Sequence, residues 1–165
     1  MNPTKKILAP TDLSDLSQAG VRIALEMAAD RGAEVVVYNV LGYEETTVIS
    51  GLEDWTPVDP AEIPRVEEIV TERKIQLRKY LEENFADLLS KVKVRCEVGV
   101  GVAYQRIVEK SAAEGVDLIV MSTHGRTGFL HVLIGSVTEK VVRMAACPVL
   151  SVRPAKEAVP AKAAA

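Results

Sequence analysis

Between Asp117 and Val142 the chain reads DLIVMSTHGRTGFLHVLIGSVTEKVV. An apolar run ends at Ser122, glycines stand at Gly125 and Gly128, and Gly135 followed by Ser136 opens a helix-like pattern. The unpaired N–H groups of a helix start, with the helix dipole, attract anions, and a glycine there admits close approach without a side chain. Ser136 and Thr138 add hydroxyl donors on the same first turn. The chemistry this arrangement suits is phosphate binding. Two common devices for it are missing, however. There is no Gly-x4-Gly-Lys-Ser/Thr loop with its lysine, and the Gly-x-Gly-x-x-Gly fingerprint due after the first strand is replaced by Pro10-Thr11-Asp12-Leu13-Ser14. A plainer reading stays open for each residue. Ser136 suits an ordinary N-cap, Gly125 and Gly128 suit turns, and Asp12 suits a cap beside Ser14 at the start of the first helix. Arg126 either is solvated or reaches a phosphate. His124 and His131 have no third ligand near them in sequence and do not suggest a metal site. No nucleophile is paired with a general base, so efficient catalysis is not expected.

The elements that must position these residues alternate between strand and helix. KKILAP (Lys5 to Pro10) reads as a strand, and the helix after it can be capped by Ser14 and ended by Gly32 in the left-handed conformation. AEVVVYNV (Ala33 to Val40) is continuously apolar, as expected where both faces of a parallel sheet are covered. An irregular segment, Leu41 to Pro60, carries Trp55. A helix from about Pro64 to Leu89 follows, with Val66, Val70, Leu77, Leu81 and Leu88 near one face. KVKVRCEVG sets Val92, Val94, Cys96 and Val98 against Lys93, Arg95 and Glu97, which predicts a half-exposed strand at a sheet edge. Gly99 and Gly101 suit the turn into a helix over Ala103 to Glu114. The strand DLIVMS, a helix over Ser136 to Ala146 and the strand VLSVRP complete the pattern.

This alternation predicts an α/β fold, a five-stranded parallel sheet doubly wound by helices on both faces. Ligands bind such sheets beyond the carboxyl ends of the strands, where strand order reverses. The loops to watch are therefore those after strands one, two and four. The chain has room for a single domain, here residues 1–154, with a low-complexity tail at 155–165 read as disordered. Its 165 residues are 48% hydrophobic and 26% charged, and no apolar run approaches the roughly 20 residues that cross a bilayer. The N-terminus lacks a secretory pattern, so a cytoplasmic protein without a membrane role is expected. A net charge of −3 and 4% aromatic residues argue against a nucleic-acid surface. Cys96 and Cys147 lack metal or redox spacing and suit buried free thiols.

KILAPTDLS, VVVYNV and above all MSTHGRTGFLHVLIGSVTEKVVRMAACPVLSV resemble the universal stress proteins, in their ATP-binding branch, over essentially Lys5 to Arg153. That family's nucleotide pattern is Gly-x2-Gly-x9-Gly-Ser/Thr. Its second glycine falls on Gly125 and its final pair on Gly135-Ser136, while Ser122 stands where the first glycine is due. The resemblance implies a Rossmann-like fold of the adenine nucleotide alpha hydrolase-like type. It implies that Pro10, Thr11 and Asp12 line the ribose and phosphate side, with Asp12 near a Mg²⁺ that accompanies the phosphates. Val40 would offer its backbone to the adenine edge, Met121 and Ser122 would lie against base and ribose, and Gly125, Gly135, Ser136, Val137 and Thr138 would surround the phosphates. The missing lysine would be replaced by backbone donors, hydroxyls and the metal. It further implies a homodimer through the last strand, over Val149, Leu150, Ser151 and Val152. The expected function is binding of ATP, or of AMP or ADP, in stress response or signalling. Two alternatives remain: a dimer of the same fold that has lost the nucleotide and acts through protein contacts, and a slow ATPase.

Overall fold

A right-handed crossover puts its helix on one face of a parallel sheet when the chain moves one way along it and on the other face when the direction reverses. The computed structural model, which describes residues 4–43, 45, 63–123 and 135–154, follows that rule. Its strands are β1 (Lys6–Pro10), β2 (Glu34–Leu41), β3 (Lys93–Val100), β4 (Leu118–Ser122) and β5 (Val149–Val152), all parallel in the order β3-β2-β1-β4-β5. The helices are α1 (Gln18–Arg31), α2 (Ile63–Leu89), α3 (Ala103–Ala113) and α4 (Ser136–Met144). From β1 the chain first moves outward through β2 to β3, with α1 and α2 on one face. It then returns to β4 and β5 on the far side of β1, with α3 and α4 on the other.

Strand alternation builds both cores. Ile7, Ala9, Val35, Val37 and Val120 face α1 and α2, where Val21, Leu25, Leu77, Leu81 and Phe85 close the layer. Leu8, Val36, Tyr38, Ile119 and Met121 face the other way, onto Ile107 and Val141. Each fully buried Ile, Leu or Val contributes about 1.5–3 kcal/mol, so the continuous apolar runs of β1, β2 and β4 are what a central strand requires. At the edge, β3 keeps the predicted division. Val94, Cys96 and Val98 pack on the α1/α2 core, whereas Arg95 and Glu97 join ion pairs with Glu34, Lys110 and Glu114 on the opposite face.

Several details depart from the sequence reading. Ser14 caps a short 3-10 turn, Asp15–Ser17, which leads into α1, rather than α1 itself; Gly32 does end α1 at φ 64°. On α2 the buried residues include Ile69, Tyr80 and Phe85, with Val66 and Val70 only half-buried. Non-helical dihedrals at Phe85 shift the apolar stripe there, which lets Phe85 bury beside the Tyr80 ring. Helix α4 stops at Met144, short of Ala146, because the approach to Pro148 disfavours helical backbone and Ala145 is already extended. Gly99 lies inside β3, and only Gly101, at φ 134°, makes the turn into α3. Both cysteines are free and half-buried, and burial pushes their thiols up in pKa. Trp55 and the segment 46–62, the loop carrying His124, Gly125, Arg126, Gly128 and His131, and the tail 155–165 lie outside the described residues. Among the described residues, no helix is long and apolar enough to cross a membrane.

Candidate functional site

Strand order reverses between β1 and β4, so the loops leaving their carboxyl ends part and leave a crevice. On the β1 side, Thr11 extends the ladder by donating its N–H to Tyr38 O at 2.9 Å, and its own carbonyl accepts from Asn39 Nδ2 at 2.8 Å. The Thr11 hydroxyl accepts from Leu13 N at 3.0 Å and shares a hydrogen bond with Ser17 Oγ at 2.8 Å. These bonds hold Leu13 at φ 64°, a backbone region that costs a non-glycine residue about 1 kcal/mol or more. Asp12 is fixed at the rim, its Oδ1 accepting from Ser14 N at 3.1 Å and from Ser14 Oγ at 2.6 Å. Asp12 therefore braces Ser14, the residue that does the capping, rather than capping the helix start itself, and it also lines the cavity.

The β4 side is held by α4. Gly135 is the N-cap, in extended conformation, and its N–H donates to Thr123 O at 2.7 Å. The first intrahelical donor is Glu139 N–H, to Gly135 O, so the amides of Ser136, Val137 and Thr138 form the open first turn. Ser136 is thus the first helical residue and not the cap. Thr138 is buried, and its hydroxyl donates to Ser122 O at 3.0 Å, which ties α4 to the end of β4.

These walls enclose a cavity of about 240 Å³. Pro10, Thr11 and Asp12 line it from β1, Val40 from β2, Met121 and Ser122 from β4, and Gly135, Ser136, Val137 and Thr138 from α4. Every nucleotide-site residue expected from the sequence within the described part of the chain borders this one space, and Gly125 falls outside that part; the residues expected at a dimer strand, Val149 to Val152, do not line it. Five further residues line it: Ser17, Tyr38, Ala103, Ile107 and Thr123. Tyr38 was legible in principle, since it shares a strand face with Val40 two residues on. Ala103 and Ile107 were not, because nothing local says that the start of α3 leans over β2. Gly99 makes room for the tyrosine, for a Cβ there would lie 2.0 Å from Tyr38 Oη.

The cavity has two chemical ends. Tyr38, Val40, Ala103, Ile107 and Met121 make an apolar end, and the hydroxyls and first-turn amides of α4 with the Thr11–Asp12 turn make a polar one. Burial holds the Tyr38 phenol above its ordinary pKa, so it stays neutral at physiological pH. Among the described lining residues Asp12 is the only charged one, and the described residues hold no cluster of three or more His, Cys, Asp or Glu that could bind a metal alone. A single carboxylate beside a helix start with open amides matches the habit of Mg²⁺, which takes one or two carboxylates and completes its shell with the oxygens of a ligand and water.

Fold and cavity together define a doubly wound parallel α/β domain with a crevice at its switch point. Within that class, the chain belongs to the universal stress protein family, whose model matches residues 3–153. Universal stress protein MJ0531 of Methanocaldococcus jannaschii is 33% identical over 156 residues, covering 94% of this chain and 86% of that relative. The solved structure of MJ0577, a universal stress protein of the same organism, superposes with a TM-score of 0.73 at 28% identity, over 94% of this chain and 99% of the other. A universal stress protein solved in complex with cAMP superposes with a TM-score of 0.63 at 21% identity, over 93% of this chain and 100% of the other, a likeness of fold.

Proposed function

We propose that this protein binds an adenine nucleotide, with Mg-ATP as the leading ligand, in the crevice between β1, β4 and α4. The observation that carries the reading is the convergence on one cavity of an apolar end, a ring of hydroxyls and amides at a helix start, and a single carboxylate. The apolar end suits a purine, and Val40 would present its backbone to the base edge. The open first turn of α4 suits phosphate. With no cationic side chain among the described lining residues, Mg²⁺ held by Asp12 would supply the positive charge that phosphates need. The arrangement suits holding a nucleotide rather than turning it over efficiently.

We further propose that the protein acts as a cytoplasmic homodimer in stress signalling, its copies meeting along β5. Among the described residues that strand pairs only with β4 and leaves Leu150 exposed, and an edge of this kind favours a twin strand across a two-fold axis. Isothermal calorimetry with ATP in the presence and absence of Mg²⁺ tests the ligand, alongside mass analysis of whatever small molecule co-purifies. Saturable binding at one site per chain that weakens without the metal is expected. A folded protein that binds neither ATP, ADP nor AMP at millimolar concentration would sink the nucleotide reading.

A further inference from the structure

Ser122 stands where the family pattern has glycine, at the end of β4 and on the cavity wall. Its hydroxyl does not point at the ligand space in search of a partner. Oγ accepts from the backbone N–H of Gly20 at 2.9 Å and donates to the backbone carbonyl of Ser17 at 3.3 Å. Gly20 is the third residue of α1, whose own N-cap, Ser17, makes no side-chain capping bond. The first-turn amides of a helix lack acceptors within the helix, and an oxygen reaching one of them does the work of a cap. Ser122 thus caps α1 from another strand, more than a hundred residues away in sequence.

The close approach this requires explains Gly20. A Cβ at that position would lie 2.6 Å from Ser122 N and 2.8 Å from Met121 C, too near for any side chain without moving α1 off the sheet. Ser17, the carbonyl partner, also lines the cavity, and its hydroxyl joins Thr11 Oγ1 at 2.8 Å and Ser14 O at 2.8 Å. Ser17 therefore joins the two sides, its backbone carbonyl accepting from Ser122 and its hydroxyl bonding the Thr11 hydroxyl of the Thr11–Asp12 turn.

We propose that Ser122 is a positioning residue for the nucleotide site: its hydroxyl latches the start of α1 to the end of β4 and so fixes the Thr11–Ser17 wall of the cavity, without itself contacting the ribose. The proposal rests on the nucleotide reading for its functional half. Glycine at this position would leave the wall held from the β1 side alone; serine supplies the second anchor.

The test compares the unmodified protein with Ser122→Ala, which keeps the Cβ and removes the hydroxyl. Titrations with Mg-ATP and Mg-2′-deoxy-ATP are run well below the melting temperature, and exchange of the Gly20 amide is followed by NMR without ligand. Loss of one buried hydrogen bond predicts Gly20 exchange faster by about three- to tenfold, and a similar loss of affinity for both nucleotides alike. Unchanged exchange overturns the latch. Faster exchange with unchanged affinities overturns the positioning role, and a loss confined to the ribonucleotide overturns the claim that the hydroxyl avoids the ribose. If the unmodified protein binds no nucleotide, the functional reading and the positioning role fall together, while the exchange result still decides the latch.

Discussion

Gly135 meets the end of β4 so closely that a Cβ would stand 2.9 Å from Thr123 O, the same oxygen that accepts its N–H at 2.7 Å. Its φ of −64° is open to any residue, so the requirement is one of space and not of backbone freedom. Replacing it with alanine forces the β4–α4 junction apart by a few tenths of an ångström, which should cost about 1–2 kcal/mol of stability. The same shift turns the first-turn amides of α4 away from the cavity. The expected outcome for Gly135→Ala is a folded protein melting about 3–6 °C lower, with Mg-ATP affinity reduced at least about tenfold. Gly135→Arg should abolish binding, since its bulk fills the polar end and an added charge does not replace lost backbone donors. Unchanged affinity in either folded variant, measured by calorimetry, would remove the start of α4 from the site.

Among the elements, β5 has the clearest unspent capacity. Ile119 N donates to Pro148 O and Thr123 N to Val152 O, so the even-numbered residues of β5 direct their backbone groups to β4. Those of Val149 and Ser151 then point to the open edge. Proline at Ser151 removes an outward donor while leaving the β4 ladder in place, and should turn a dimer into a monomer with a small change in melting temperature. Light scattering at micromolar concentration checks both species, and a monomeric unmodified protein would refute pairing through β5. The elements also mark how far the sequence could be read. Alternation in KVKVRCEVG revealed an edge strand, and continuous apolar runs revealed central ones, because each strand's own period reflects which faces are covered. That the turn Thr11–Asp12 and the pair Gly135-Ser136 meet at one crevice was legible because a parallel sheet dictates where the loops after its central strands part. What escaped were contacts between elements distant in sequence: Gly20 against Ser122, Gly99 beneath Tyr38, and α3 leaning over the cavity. No local period encodes these. The α2 stripe was misread near its start, where Ile69 buries in line with Tyr80, three turns on, while Val66 and Val70 are only half-buried; the break at Phe85 rephases only the turns that follow it.

At the scale of the whole molecule, the described residues carry an ion-pair network that begins where strands β1, β2 and β3 start. Lys6, Glu34 and Lys93 are in register there, Glu114 follows the end of α3, and Arg95 links Glu34, Glu97 and Glu114. Lys110 adds a bond to Glu114 at 2.6 Å and another to Glu97, and Lys6 approaches Glu114 at 3.5 Å. Burial alone would push the Glu114 carboxyl up, but the hydrogen bonds from Lys110 and Arg95 outweigh it and hold the pKa at about 2, against an ordinary 4.5. A carboxyl that binds its proton less readily when folded stabilises the fold fully above its unfolded pKa. That contribution is lost as pH falls from about 4.5 towards 2. Glu34 and Asp117 are shifted in the same direction, the first because Arg95 and Lys93 overcome the effect of burial, the second because its carboxylate accepts the backbone N–H groups of Lys5 and Lys6. The network thus clamps the amino ends of three strands to α3 only while its carboxylates are ionised. Glu114→Gln keeps the shape and removes the charge, leaving Arg95 and Lys110 short of a partner at a part-buried site. At pH 7 it should lose about 1–3 kcal/mol, with a discount for the solvent that still reaches these side chains. At pH 2.5 the difference between variant and unmodified protein should shrink to about a quarter of that value, because there the unfolded carboxyl is almost wholly protonated while the folded one, with its pKa at about 2, is still mostly ionised. Urea melts at the two pH values give the comparison directly, and an equal difference at both would show that Glu114 acts by packing and not by charge.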